Sequence, residues 1–152
     1  MEGELLDAAL ELSQQADQQV WWPFVGNSMS PYIEAGDMIL VQHTLRPVRL
    51  GDVIVFRCSG ELVAHRVVFV RKSGSRYIYR AKGDNSRNFD MPISQSSILG
   101  RVICVRKNDG IISLDKPRNK FFSLLLAFYS YCAGILYQAI RIKSSLAAFR
   151  PE

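Results

Sequence analysis

Apolar residues come in short bursts through the middle of this chain, and turn-forming residues separate the bursts. The segments DMILVQ (37–42), DVIVFR (52–57), ELVAHRVVFV (61–70), RYIYR (76–80), ILGRVICVR (98–106) and GIISL (110–114) are β-branched, apolar and short enough to be strands. Between them stand RPVRLGD, CSGE, RKSGS, KGDNSRN and KNDG, all turn chemistry. No helical pattern interrupts this series, so residues 20–115 are expected to form one mostly β domain. A coiled, barrel-like set of antiparallel strands is the expected architecture.

The two ends follow a different period. Leu5, Leu6, Ala9, Leu10 and Leu12 recur at near-helical spacing, which predicts an amphipathic helix over residues 3–16 within an N-terminal unit of residues 1–19. This stretch is acidic and lacks the basic start and apolar core of a secretory signal. Near the other end, FFSLLLAFYSYCAGILYQAI (121–140) is an uncharged run of twenty residues. At about 1.5 Å per residue it reaches roughly 30 Å, the thickness of a bilayer's hydrocarbon core. Pro117 suits a first helical turn, with Asp115 as a cap. Tyr129, Tyr131 and Tyr137 suit the interfaces. Residues 116–152 are therefore expected to be a single-pass C-terminal membrane anchor and tail, with a core helix or a partner-docking helix as the competing readings.

Charge is unevenly distributed. Residues 1–40 carry seven acids and no Lys or Arg, a net −7; the remaining residues carry all 19 Lys+Arg and seven acids, a net +12, for +5 overall. The basic residues are scattered through strand-like segments, which does not indicate nucleic-acid binding. Cys58, Cys104 and Cys132 are far apart, with no CxxC pair, so neither a disulfide framework nor a zinc site is indicated, and all three are expected to be buried thiols. No metal or other cofactor is implied.

One turn-rich stretch does not behave like an ordinary loop. GNSMSPYIEAGD (26–37) places Ser28 and Met29 between Gly26 and Pro31. Gly26 permits unusual backbone dihedrals, and Pro31 stiffens the exit. A hydroxyl held on such a turn is a candidate nucleophile if a base reaches it. There are two histidines. His43 sits in a basic connection. His65 sits inside a strand, on the same face as Val63 and Val67 and opposite Arg66. An imidazole among valines needs a polar partner, and KGDNSRNFD offers Asp84 and Asp90.

Four blocks in order, GNSMSP, GDVIVFR, LVAHRVV and AKGDNSRNFD, resemble type I signal peptidases, and more narrowly their archaeal and endoplasmic-reticulum branch. The resemblance covers residues 20–105. It implies Ser28 as nucleophile, His65 as general base where the bacterial branch has lysine, and Asp90 as the acid completing the triad. It also implies a supporting place for Asp84 in the GDN turn, for Met29 beneath the nucleophile and for Gly26. Asp52 and Val53 belong to a structural block. The implied activity is a serine endopeptidase that cleaves a signal or leader peptide from a precursor through an acyl-enzyme. Its partners would be the precursor substrate and membrane lipid, with accessory subunits unspecified.

This sequence departs from the family pattern in three ways. Bacterial members often carry a hydroxyl two residues before the nucleophile, and here Gly26 stands there. Members usually carry a membrane segment before the serine, whereas here the apolar run follows the β body. Arg101, Arg106, Lys107, Lys116, Arg118 and Lys120 precede that run, and only Arg141, Lys143 and Arg150 follow it. The positive-inside rule would keep the body cytoplasmic, while the resemblance puts the active site outside. Two other readings stay open: a catalytically silent peptide-binding module of the same fold, and a self-cleaving repressor-like domain. The repressor-like domain would use a lysine base and carry a DNA-binding helix pair in front.

Overall fold

In a computed structural model the described residues are 19–43, 47–58 and 60–148. The helix expected over residues 3–16 lies outside them. Eight strands precede one long helix: β1 (Gln19–Pro23), β2 (Met38–Gln42), β3 (Val53–Cys58), β4 (Glu61–Ser73), β5 (Arg76–Lys82), β6 (Ile93–Ser94), β7 (Ile98–Lys107) and β8 (Gly110–Ser113), then α1 (Pro117–Ala148). The fold is mostly β and antiparallel, with a C-terminal apolar helix, as the patterning predicts.

The strands are ordered β1-β2-β7-β3-β4-β5-β6 in a single sheet, with β8 added to β7. Three hairpins close through two-residue connections, between Cys58 and Glu61, Ser73 and Arg76, and Lys107 and Gly110. These are the places where the turn chemistry falls. Because β7 pairs with β2, β3 and β8, the sheet coils around it.

The coil buries both faces of its central strands. Along β3, Val53 and Val55 enter one apolar cluster with Met29, Ile33, Ile39 and Val105. The alternate residues Ile54 and Phe56 enter a second cluster with Val67, Tyr79 and Ala81. That is why DVIVFR reads as continuous apolar sequence: each side of the pleat has its own core. Two elements were not evident from the pattern. WWP belongs to β1, which pairs with β2 along its whole length, and β6 is only two residues long. The aromatics before Ser28 line the body: Phe24 is buried, Trp22 packs on the first cluster, and Arg106 lies 4.7 Å from the Trp21 ring.

Helix α1 includes residues 121–140 and extends beyond them at both ends. By length and composition it is the one helix among the described residues able to cross a membrane. The expectation of three buried thiols needs correcting. Cys58 and Cys104 are partly buried, but Cys132 is exposed, because it falls on the outward side of α1.

Candidate active site

The Ser28 loop is held at its base and at its tip. At the base, Phe24 N–H donates to Asp37 O at 2.8 Å and Gly36 N–H to Phe24 O at 3.0 Å. Lys107 on β7 reaches Asp37 at 2.9 Å, and that hydrogen bond holds its ammonium above the ordinary lysine range. At the tip, Tyr32 and Ile33 N–H both donate to Met29 O at 3.0 Å, forming a single helical turn. Met29 is fully buried in the first apolar cluster. A methionine stands in this turn because its side chain is the loop's anchor in the core, where its unbranched stem fills an irregular gap. Gly26 enters the turn at φ +96, a conformation that side chains with a Cβ rarely adopt.

The GDN turn docks directly on that loop. Asn85 N–H donates to Ser28 O at 2.8 Å, and Asn85 Nδ2 donates to Asn27 O at 3.2 Å. Gly83 lies so close that a Cβ there would stand 2.6 Å from Ser28 O and 3.0 Å from Ser28 Cβ. Glycine is therefore required by contact, independently of its dihedrals. Lys82, immediately before Gly83, pairs with Arg66 across β4 and β5. The same register brings the turn to the strand that carries His65.

His65 and Asp90 meet. His65 Nδ1 donates to Asp90 Oδ2 at 2.7 Å, with both side chains mostly buried (11% and 14% exposed). Asp90 is positioned by its own N–H, which donates to Ala81 O at 2.9 Å. The Phe56 ring meets the imidazole edge-on, with centroids 6.1 Å apart. His65 lies on the face of Val67 in the second cluster, as strand alternation predicts. An imidazole whose Nδ1 is bonded to a carboxylate has its other nitrogen available as an acceptor. His43 is placed elsewhere, with Nδ1 3.2 Å from Leu99 O.

Asp84 does not join the histidine. It takes a two-pronged ion pair from Arg66, Nε to Oδ1 at 2.8 Å and Nη2 to Oδ2 at 2.7 Å. Arg66 Nη1 also donates to Gly51 O at 3.1 Å and to Ser123 Oγ on α1 at 3.0 Å. Lys82 Nζ donates to Ser130 Oγ on α1 at 2.9 Å; burial lowers the pKa of its ammonium, and Asp84 and Asp90 oppose that shift. Nothing in the sequence pattern assigns Arg66 a role. Strand alternation marks it as facing away from His65, but its carboxylate partner is 18 residues distant. Asp52 accepts from Arg49 N–H at 2.8 Å beside the buried Val53. A cavity of about 420 Å³ between Asp52, Arg101, Lys120 and Leu124 includes none of Ser28, His65 or Asp90.

Residues 3–103 match the model of the family described as Peptidase S24-like. The chain belongs to that family. Among curated proteins it is similar to the signal peptidase complex catalytic subunit sec11 of Dictyostelium discoideum, 28% identical over 112 residues, covering 64% of this chain and 63% of that protein. It is similar to signal peptidase I W of Bacillus subtilis, 32% identical over 78 residues, covering 49% of this chain and 41% of that protein. It is also similar to SEC11 of Yarrowia lipolytica, 25% identical over 111 residues, covering 70% and 63%. The chain thus spans less than two thirds of the length of each of these relatives. Family and relatives agree on a signal peptidase-like serine protease family, and the resemblance read from the four blocks stands.

Proposed function

We propose that this protein is a membrane-associated serine endopeptidase that removes a signal or leader peptide from a precursor. Ser28 attacks the scissile carbonyl, and His65 takes its proton and passes it to the leaving amine. Asp90 orients and stabilises the ring, and water then releases the acyl-enzyme. Residues 20–115 carry the chemistry, and the segment from 116 onward carries the membrane attachment. The observation that carries this reading is the 2.7 Å bond from His65 to Asp90, two residues 25 apart in sequence, beside a turn that docks on the Ser28 loop. A peptide-binding module without turnover would have no need of that mostly buried ring-and-carboxylate pair. A lysine base of the repressor kind would have to be Lys82, whose ammonium is already bonded to Ser130 Oγ at 2.9 Å, while His65 stands at the motif position of the base. Two of the similar proteins are named as subunits of a complex, so accessory subunits belong to the same proposal.

The test uses the full chain in detergent and a labelled peptide with an Ala-X-Ala cleavage site. Ser28→Ala, His65→Ala and Asp90→Asn should each lower kcat by roughly 10⁴-fold, and Ser28→Ala should do so with little change in thermal stability. Undiminished cleavage by Ser28→Ala would refute the assignment.

A further inference from the structure

The two sides of α1 have opposite characters. Ser123, Ala127, Ser130 and Gly134 recur at steps of four, three and four, and all are buried against the β body. Ser123 and Ser130 accept hydrogen bonds from Arg66 and Lys82. At Gly134 a Cβ would stand 2.5 Å from the Phe89 ring, so this turn is pressed onto the body. The seam continues through Tyr131, stacked on Phe69 at 6.2 Å, to Tyr137, 5.9 Å from the Arg87 guanidinium. From Ser123 to Tyr137 it runs about 21 Å along the helix.

The opposite side is apolar and uncovered. Phe121, Leu125, Phe128, Leu136 and Ile140 are exposed by 65, 51, 69, 62 and 59%. Charged residues occur only at the ends of the helix, Arg118 and Lys120 before this face and Arg141 and Lys143 after it, and residues 117–148 contain no acid. An apolar face bracketed by cations alone complements an anionic lipid surface.

A helix that crosses the bilayer through residues 121–140 cannot keep this seam. The seam occupies the middle of that span, so Arg66, Lys82 and Asp84 would be carried to hydrocarbon depth, where charge is costly. Alternatively the seam would open and strip two buried cations of their Ser123 and Ser130 partners. A helix lying in the plane of the membrane keeps the seam and still buries the apolar side. We propose that α1 lies flat in the surface of an anionic bilayer, its outer face in lipid and its inner face on the β body. The proposal shares with the functional reading only the membrane attachment, and its test does not use cleavage.

The experiment places a polarity-sensitive fluorophore at three outer-face positions of the full-length protein. One is the native Cys132, with Cys58 and Cys104 replaced by alanine; the others are Leu125→Cys and Ile140→Cys, each in a background that also lacks Cys132. The proteins are added to vesicles of phosphatidylcholine with and without phosphatidylglycerol, and lipids carrying quenchers at known depths locate each probe. A flat helix gives one shallow depth at all three positions, and binding at least about tenfold tighter with phosphatidylglycerol. A probe at residue 132 near the bilayer centre, with 125 and 140 shallower toward opposite leaflets, overturns the proposal in favour of a crossing. No quenching at any position, with the protein a lipid-free oligomer, overturns it in favour of a protein partner on this face. Circular dichroism matching the unlabelled protein confirms that each variant is folded.

Discussion

Replacing Arg66 by methionine removes a buried, multiply bonded cation at almost constant side-chain volume. The guanidinium is fully buried, holds Asp84 through two bonds, and also donates to Gly51 O and Ser123 Oγ, while its plane lies 5.0 Å from the Tyr32 ring. Methionine fills most of the space but leaves the Asp84 carboxylate, 8% exposed, without a counter-ion. Removing one partner of a buried pair costs about 3–5 kcal/mol. That is a fifth or more of the stability of an ordinary domain, about 5–15 kcal/mol. At roughly 2–4 °C per kcal/mol for a chain of this size, the melting temperature should fall by about 6–20 °C. Asp84→Leu should fall comparably, since it strands the guanidinium instead. The double variant Arg66→Met/Asp84→Leu should recover most of the loss, because a buried pair and an apolar replacement of similar volume differ little in stability. Guanidinium unfolding in detergent, followed through Trp21 and Trp22 on β1, measures all four corners of the cycle. The reasoning fails if Arg66→Met unfolds within about 1 kcal/mol of the parent, or if the double variant is no more stable than either single one.

Gly83→Ala should lower kcat on the Ala-X-Ala peptide by about 10²-fold while shifting the melting temperature by only a few degrees. The added methyl would sit 2.6 Å from Ser28 O and press on Ser86 Oγ, so the loop must move by a fraction of an ångström; turnover within twofold of the parent would contradict this. At the start of α1, Asp115 takes bonds from Arg101 at 2.6 and 3.1 Å and from Lys120 at 3.1 Å, and the Arg101 bond chiefly holds its carboxyl below the ordinary range. A depressed carboxyl contributes stability that is present above its unfolded value, about 3.9, and lost as pH falls through the folded one. The stability gap between the parent and Asp115→Asn should therefore be widest near neutrality and close below about pH 4 in unfolding titrations. A gap that is constant across that range would refute the linkage.

What was legible in the sequence was whatever local chemistry determines. Strands β2, β3, β4, β5, β7 and β8 carry their own alternation or apolar runs, and their turns carry Gly, Asn and Asp. β1 was missed because two tryptophans and Pro23 do not alternate; what makes it a strand is its position at the sheet edge, where a proline costs no ladder bond. The Ser28 turn, His65 and the two aspartates were legible as motif blocks. The resemblance also gave Asp90 to His65 and Asp84 a supporting place; that Asp84 is held by Arg66 was not legible, because it depends on which β4 residue faces which turn. Composition announced α1 as a membrane segment. Its Ser-Ala-Ser-Gly seam was visible as small residues, but it acquires meaning only when Arg66 and Lys82 are found beneath it.

The position of Arg66 ties these pieces into one device. One guanidinium bonds Ser123 on α1, Gly51 at the entry to β3 and Asp84 in the GDN turn, and the next residue of that turn, Asn85, holds Ser28 O. His65, the residue immediately before Arg66, holds Asp90 from the opposite face of the same strand. Two adjacent residues of β4 therefore face two different cores, one carrying the ring-and-carboxylate pair and the other linking the apolar helix to the loop that presents the serine. A body attached to its membrane helix only by a flexible linker would need none of these bonds. Here the apolar helix and the turn that docks on the Ser28 loop share a buried ion pair, so on the proposal that α1 meets lipid, the orientation of the candidate site toward the membrane is built into the core of the β domain.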